Sequence, residues 1–473
     1  MLLLLSALLL SAGGAAWAET VAITNVAVVD VAHGTTRSGQ TVVVRGETIW
    51  AAGNSRRTAI PAGARRIDGR GRFLIPGLWD MGSFVLDGRA NGVPGAFELM
   101  IANGVTGTRD MGTAVAPAEI ARLDKAIRAG EIVGPRLIWA TKMLSRRLDA
   151  EVSGGRKEHF SVKSERDAVA AVDRMAADGA HYIRLHQTLP EIWLPSIVAR
   201  ARAHRMTITG AIVASWRDAA LVGLGAFDHF VDLYRSTARA PERDQFTRLF
   251  RDAAFQRRIA GSRDGFYRFF EPLRGLRDQA YYQATIAAMA RAGTPVTTDM
   301  ATMVHSQQAI GLDVEERRRF SRPPAQPRAP SPPGTTDGRA RDGLWSDLRD
   351  LHDAGVPILA GTQAKNVYWE LPGPTLVDEL LILNKAGFTP RQALAAATVT
   401  PARVISRLFP RVIAANAVAK GQPADLVMLD ANPLIDIANV RRIYGVMANG
   451  RWFGPAERQA LIERAAELAA KRE

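Results

Sequence analysis

The stretch LIPGLWDMGSFVLDG, residues 74–88, decides how the rest of the chain is read. Residues 74–81 form a short apolar run closed by Asp80 and Met81. A run of this length with little alternation reads as a strand buried on both faces. Gly82, Ser83 and Phe84 then lead the chain out of the core.

Seven further runs of the same kind follow: GVTGTRDM at 104–111, RLIWATKM at 136–143, YIRLHQ at 182–187, MTITGAIV at 206–213, AFDHFVDL at 226–233, PVTTDMAT at 295–302 and PILAGTQ at 357–363. Amphipathic stretches such as SERDAVAAVDRMAADG and LPSIVARARAHR separate most of them. Eight strand–helix units predict an α/β fold, a (β/α)8 TIM-like barrel over residues 74–410, with its chemistry at the C-terminal strand ends.

Outside that segment the pattern changes. Residues 19–73 hold short β runs, VAITNVAVVDV, QTVVVRGETIWAAG and RRIDGRGRFL, separated by glycine and polar turns. ADLVMLDANP and VRRIYGVMANGRWF repeat the pattern within 411–455. The two sets predict one small β-sandwich built from both chain ends, with a C-terminal helix over 456–473.

The opening MLLLLSALLLSAGGAAWA ends in an Ala-Trp-Ala cleavage signal and reads as a signal peptide over residues 1–18. It implies a periplasmic or secreted protein with no transmembrane segment after cleavage. The chain has no cysteine, which excludes disulfides and thiolate-bound zinc. The net charge of +14 is concentrated partly in a Pro- and Arg-rich stretch, EERRRFSRPPAQPRAPSPPGTTDGRARDG, from Glu315. Without a helix-turn-helix or RNA-recognition signature this is a solvated basic loop, and specific nucleic-acid binding is not expected. A second insertion, residues 237–283, is rich in Arg, Phe and Tyr. Both insertions leave the active face of the expected barrel. The sequence sets neither their role nor the oligomeric state.

Several pieces resemble the amidohydrolase superfamily: RFLIPGLWDM, ANGVTGTRDMG, GPRLI, AGVPILAGT, GFTPRQALAAATVTPARVI and GQPADLVMLDANPLIDIANVRRIYGVMANGR. The nearest likeness is to its imidazolonepropionase-like branch, which includes exported dipeptidases. The resemblance implies a metal-centred barrel that hydrolyses carbon–nitrogen bonds other than peptide bonds.

The metal positions implied by the resemblance are largely replaced. The His-x-His frame of strand one falls on Gly82 and Phe84, the bridging lysine on Arg184, the strand-five histidine on Ala211 and the strand-eight aspartate on Gln363. His229 alone keeps its type. Gly, Ala and Phe side chains donate nothing to zinc, which takes three or four His or carboxylate ligands. A guanidinium stays protonated, with a pKa above about 12, and repels a divalent ion. No metal or other cofactor is therefore expected.

The remaining polar residues at the predicted mouth are Asp80, Arg109, Asp110, Lys142, Arg184, His186, His229, Asp299, Gln363 and Lys365. Three readings follow. In the first, a degenerate pseudoenzyme binds a small, anionic molecule through Arg184, Lys142, Gln363 and Lys365. In the second, a metal-independent enzyme acts on an anionic substrate, with His229, Arg184, His186 and Asp110 as catalytic candidates. In the third, His186, His229 and one aspartate form a rearranged mononuclear metal site. A structural alternative pairs Arg184 with Asp80, Asp110 or Asp299 as a salt-bridge plug. Ser83 is a weaker candidate nucleophile.

Overall fold

The computed structural model describes residues 19–87, 92–113, 115–146, 159–211, 215–230, 232–251, 274–301, 314–320, 338–365 and 370–471. The expected signal peptide, most of the Pro-rich stretch and the middle of the 237–283 insertion lie outside these residues.

The two chain ends build one eight-stranded sheet. Its N-terminal members are β1 (Thr20–Asp30), β2 (Thr35–Arg45), β3 (Thr48–Asn54), β4 (Arg65–Asp68) and β5 (Phe73–Pro76). Its C-terminal members are β16 (Leu426–Leu429), β17 (Ile443–Ala448) and β18 (Arg451–Phe453). The ends meet where β5 pairs antiparallel with β16, Ile75 opposite Val427 and Leu74 opposite Met428. The sheet wraps back on itself: the Ile49 N–H at the β3 edge donates to the Gln422 carbonyl at 2.9 Å, just before β16. Alternate residues, among them Val21, Ile23, Val42, Val44, Leu426 and Met428, fill the core inside the wrap. The period of two along each strand makes that one-sided burial possible.

The barrel strands run in sequence order. They are β6 (Leu78–Ser83), β7 (Val105–Asp110), β8 (Arg136–Trp139) continued by β9 (Met143–Arg146), β11 (Tyr182–Leu185), β12 (Thr207–Gly210), β13 (Ala226–Phe227), β14 (Val296–Thr297) and β15 (Ile358–Leu359). Neighbouring strands pair in parallel, except at two joins. The third strand is bent: β8 bonds to β7, while β9 bonds to β11. An extra strand, β10 (His159–Val162), adds to β9 on the outside. Closure comes from the Met81 N–H to the Ala360 carbonyl at 2.9 Å and the Thr362 N–H to the Gly82 carbonyl at 3.0 Å. Glycine is required at this seam, because a Cβ on Gly361 would lie 2.4 Å from Thr297 Cγ2 and 3.0 Å from the Gly82 nitrogen.

The sixth strand is shorter than its sequence suggests. AFDHFVDL gives only Ala226–Phe227, and a helix, Asp232–Thr237, begins within the expected run. The chain leaves the ladder at Asp228, whose carboxylate turns into the barrel to meet two arginines. Helices surround the barrel and start on polar caps: Ser164 Oγ accepts from the Asp167 N–H, and Ser215 Oγ from the Asp218 N–H.

Candidate functional site

On β11, Tyr182 and Arg184 point into the barrel while Ile183 and Leu185 join the outer core. Arg184 is 3% exposed. Its Nε donates to Asp228 Oδ2 at 2.8 Å and its Nη1 to the Met111 carbonyl at 2.9 Å. Nη1 also touches the Met143 thioether, and Nη2 lies 3.2 Å from His229 Nε2. The guanidinium carbon sits 5.2 Å from the centre of the Phe84 ring.

Asp228 holds a second guanidinium. Arg109 Nη2 donates to its Oδ1 at 3.0 Å and to Thr297 Oγ1 at 2.9 Å, and Arg109 Nε donates to the Met81 carbonyl at 2.7 Å. Burial alone would raise the Asp228 pKa, but the two guanidiniums outweigh it and the carboxyl is held below its ordinary value. Arg184 therefore pairs with Asp228 and not with Asp80, Asp110 or Asp299.

His229 links this pair to the mouth. Its Nδ1 lies 3.1 Å from Asp299 Oδ2, and the Gln363 amide nitrogen donates to the same carboxylate oxygen. A guanidinium can only donate, so Nε2 accepts from Arg184 and Nδ1 carries the proton toward Asp299. Both ring nitrogens are then occupied, which leaves His229 no free lone pair for a substrate proton. Gln363 takes this place with a left-handed backbone, φ 52°, a conformation that disfavours a side chain. Lys365 also approaches Phe84, its Nζ 5.0 Å from the ring centre.

The other candidates are placed elsewhere. Asp110 accepts the backbone N–H groups of Leu86 at 3.0 Å and Gly112 at 3.1 Å, so it orders the loops after β6 and β7. Asp80 is tied to the Gly82 and Thr362 N–H groups and to Thr362 Oγ1 at 2.6 Å; burial pushes its pKa to about 6. His186 packs 4.7 Å from the His159 ring, with Nδ1 3.0 Å from Thr188 Oγ1. Lys142 is exposed in the bend between β8 and β9. The Ser83 hydroxyl is buried 2.7 Å from Thr108 Oγ1. Asp228 was missed in the sequence. The signal was its position directly before His229, with two barrel arginines needing a buried anion.

The set does not fit a divalent metal pair. The cation among Asp228, the Met111 carbonyl and His229 Nε2 is a fixed guanidinium, and Gly82, Phe84 and Ala211 contribute no ligand atoms. Among the described residues, no three His, Asp or Glu side chains are grouped to hold a metal ion.

Comparison with known proteins gives a family match over part of the chain. Residues 279–453 match the amidohydrolase family. No curated protein matches the sequence. Solved structures match along nearly all of it. A candidate prolidase from Bifidobacterium longum is 22% identical with a TM-score of 0.63, over 95% of this chain and 99% of that one. The bottromycin amidohydrolase is 19% identical with a TM-score of 0.67, over 95% and 90%. A Xaa-Pro dipeptidase solved with methionine in its active site is 16% identical with a TM-score of 0.62, over 92% and 100%. At these identities the structural likeness speaks for the fold alone. Residues 279–453 thus resemble the amidohydrolase family, and the chain along nearly all of its length shares the fold of these solved structures.

Proposed function

We propose that this is an exported amidohydrolase-fold pseudoenzyme that binds a small anionic molecule at the barrel mouth and does not perform metal-centred hydrolysis. The observation that carries the reading is the seating of Arg184. Its guanidinium is already held by Asp228, and its Nη2 occupies the lone pair of His229, the one residue at the six positions that keeps a ligand type. A metal hydroxide is what makes amide hydrolysis feasible near neutral pH on such a site, and these residues do not support one. General acid–base catalysis by His229 is disfavoured by the engagement of both its ring nitrogens. Lys365, whose ammonium lies over the Phe84 ring, supplies the cation for an incoming anion.

The test is metal analysis of the purified mature protein, followed by thermal-shift titration with small carboxylates. We expect well under one metal ion per chain and a saturable rise in Tm that Lys365→Ala abolishes. A ligand at about 100 times its Kd adds roughly 2.7 kcal/mol of stability. Stoichiometric zinc, lost together with activity in His229→Ala, would overturn the proposal. Turnover that survives a chelator would instead favour a metal-independent enzyme.

A further inference from the structure

A cavity of about 340 Å³ opens at the opposite end of the barrel, where strands begin. Its wall includes Thr207 and Ile208 at the start of β12, Gly225 just before β13 and Thr294 before β14. Its floor is apolar, with Val198, Met206 and Leu224. Three arginines, Arg202, Arg205 and Arg407, line it, and among the described residues no acidic side chain does.

Two of these arginines have evident structural partners. Arg202 Nη2 donates to the Val222 carbonyl at 2.9 Å, at the end of the helix Trp216–Val222. Arg407 donates to the Ala292 carbonyl at 3.1 Å and to the Gly293 carbonyl, at the end of the helix Gln279–Ala292. Cations at helix C-termini are favourable, so these two guanidiniums are fixed in place by the backbone. Carbonyls supply only partial negative charge, so both cations keep most of theirs.

Arg205 is different. It follows the helix Leu194–Ala203 in a left-handed conformation, φ 56°, where glycine or asparagine is the ordinary residue. Its side chain makes no hydrogen bond or ion pair among the described residues and is exposed at the cavity. The backbone therefore bears a side chain at a glycine-type position without gaining an internal contact.

We propose that this cavity is a binding site for a phosphate-bearing ligand, with Arg205 as its mobile arm and Arg202 and Arg407 as fixed donors. Guanidinium groups match phosphate oxygens in a bidentate fork, and the apolar floor accepts the ligand's organic part. The site lies away from the barrel mouth and does not depend on the function proposed for it.

The test uses the full mature chain at low salt, titrated by calorimetry with pyrophosphate, with phenyl phosphate and with phosphatidylglycerol vesicles. Arg205→Gly is the decisive variant. It relieves the backbone, so its Tm without ligand should equal or exceed that of the parent, while its affinity should fall at least about tenfold through loss of a charged donor. Saturable binding of the free phosphates that weakens in this way supports the site for a soluble ligand. Binding of vesicles alone, weakened likewise, supports it with a lipid headgroup as the phosphate source. Absence of saturable binding to all three probes, or binding unchanged in Arg205→Gly, overturns the proposal.

Discussion

Glu379 shows how a single buried group sets conditions on the fold. It projects from the helix Pro374–Lys385 to the end of the seventh barrel strand, where it accepts the Met300 N–H at 3.3 Å and the Ala301 N–H at 2.5 Å. Burial, with Asp299 close by, pushes its pKa from 4.5 to about 8. The folded chain therefore holds a proton that the unfolded chain has released across that window. Its stabilising contribution is complete below pH 4.5 and is lost as pH rises toward 8, at up to about 1.4 kcal/mol per pH unit. Glu379→Gln should flatten the pH dependence of stability between those limits and melt later than the parent near pH 8. Urea titrations at several pH values measure this, and an unchanged slope in the variant would refute it. At the same scale, the loss of ligand types at Gly82, Phe84, Ala211 and Gln363 was legible in the sequence, because side-chain chemistry needs no coordinates. The partner of Arg184 was not. Three carboxylates near strand ends had equal claims, and only the early turn at Asp228 brought a fourth within 2.8 Å.

Among the elements, the joint between barrel and sheet rests on a polar knot. Arg136, at the first position of β8, donates from Nε to Asp425 Oδ2 at 2.5 Å and from Nη1 to Glu47 Oε2 at 3.3 Å. Asp425 also accepts the Asn449 N–H at 2.8 Å. Both Arg136 and Asp425 are buried. Removing one partner of a buried pair leaves the other charge without compensation, which costs about 3–5 kcal/mol. Arg136→Ala should lower stability by about 3 kcal/mol in urea unfolding, whereas Arg122→Ala, on an exposed helix pair with Glu119, should leave the unfolding midpoint nearly unchanged. Equal effects of the two would refute this account. Apolar runs gave away the eight barrel strands, since burial on both faces demands them. They did not give the bend in the third strand or the added β10, because both depend on backbone pairing with β11 and β9, which composition does not record.

At the scale of the whole molecule, the two chain ends are one structural unit. The helix Pro455–Ala470 packs on the helix Gly92–Ala102, with Ala465 against Leu99, Arg464 Nε 2.9 Å from Glu98 Oε1 and Arg458 Nε 2.9 Å from the Ala102 carbonyl. A chain truncated after residue 410 would lose this helix and β16–β18, exposing the β5 edge and the apolar face of the first barrel helix. It should aggregate or bind a hydrophobic dye without a cooperative thermal transition. A soluble, cooperatively melting fragment would show instead that the barrel stands alone.

The β5–β16 pairing also orders events during synthesis. A ribosome delivers the N-terminal strands first, and they must wait, one edge unmatched, until the entire barrel sequence has followed. The hairpin formed by β1 and β2 closes locally, but β5 has no antiparallel neighbour until residues 426–429 emerge. A nascent chain of this design keeps the β5 edge open until β16 has emerged, and that edge is a long-lived target for chaperones.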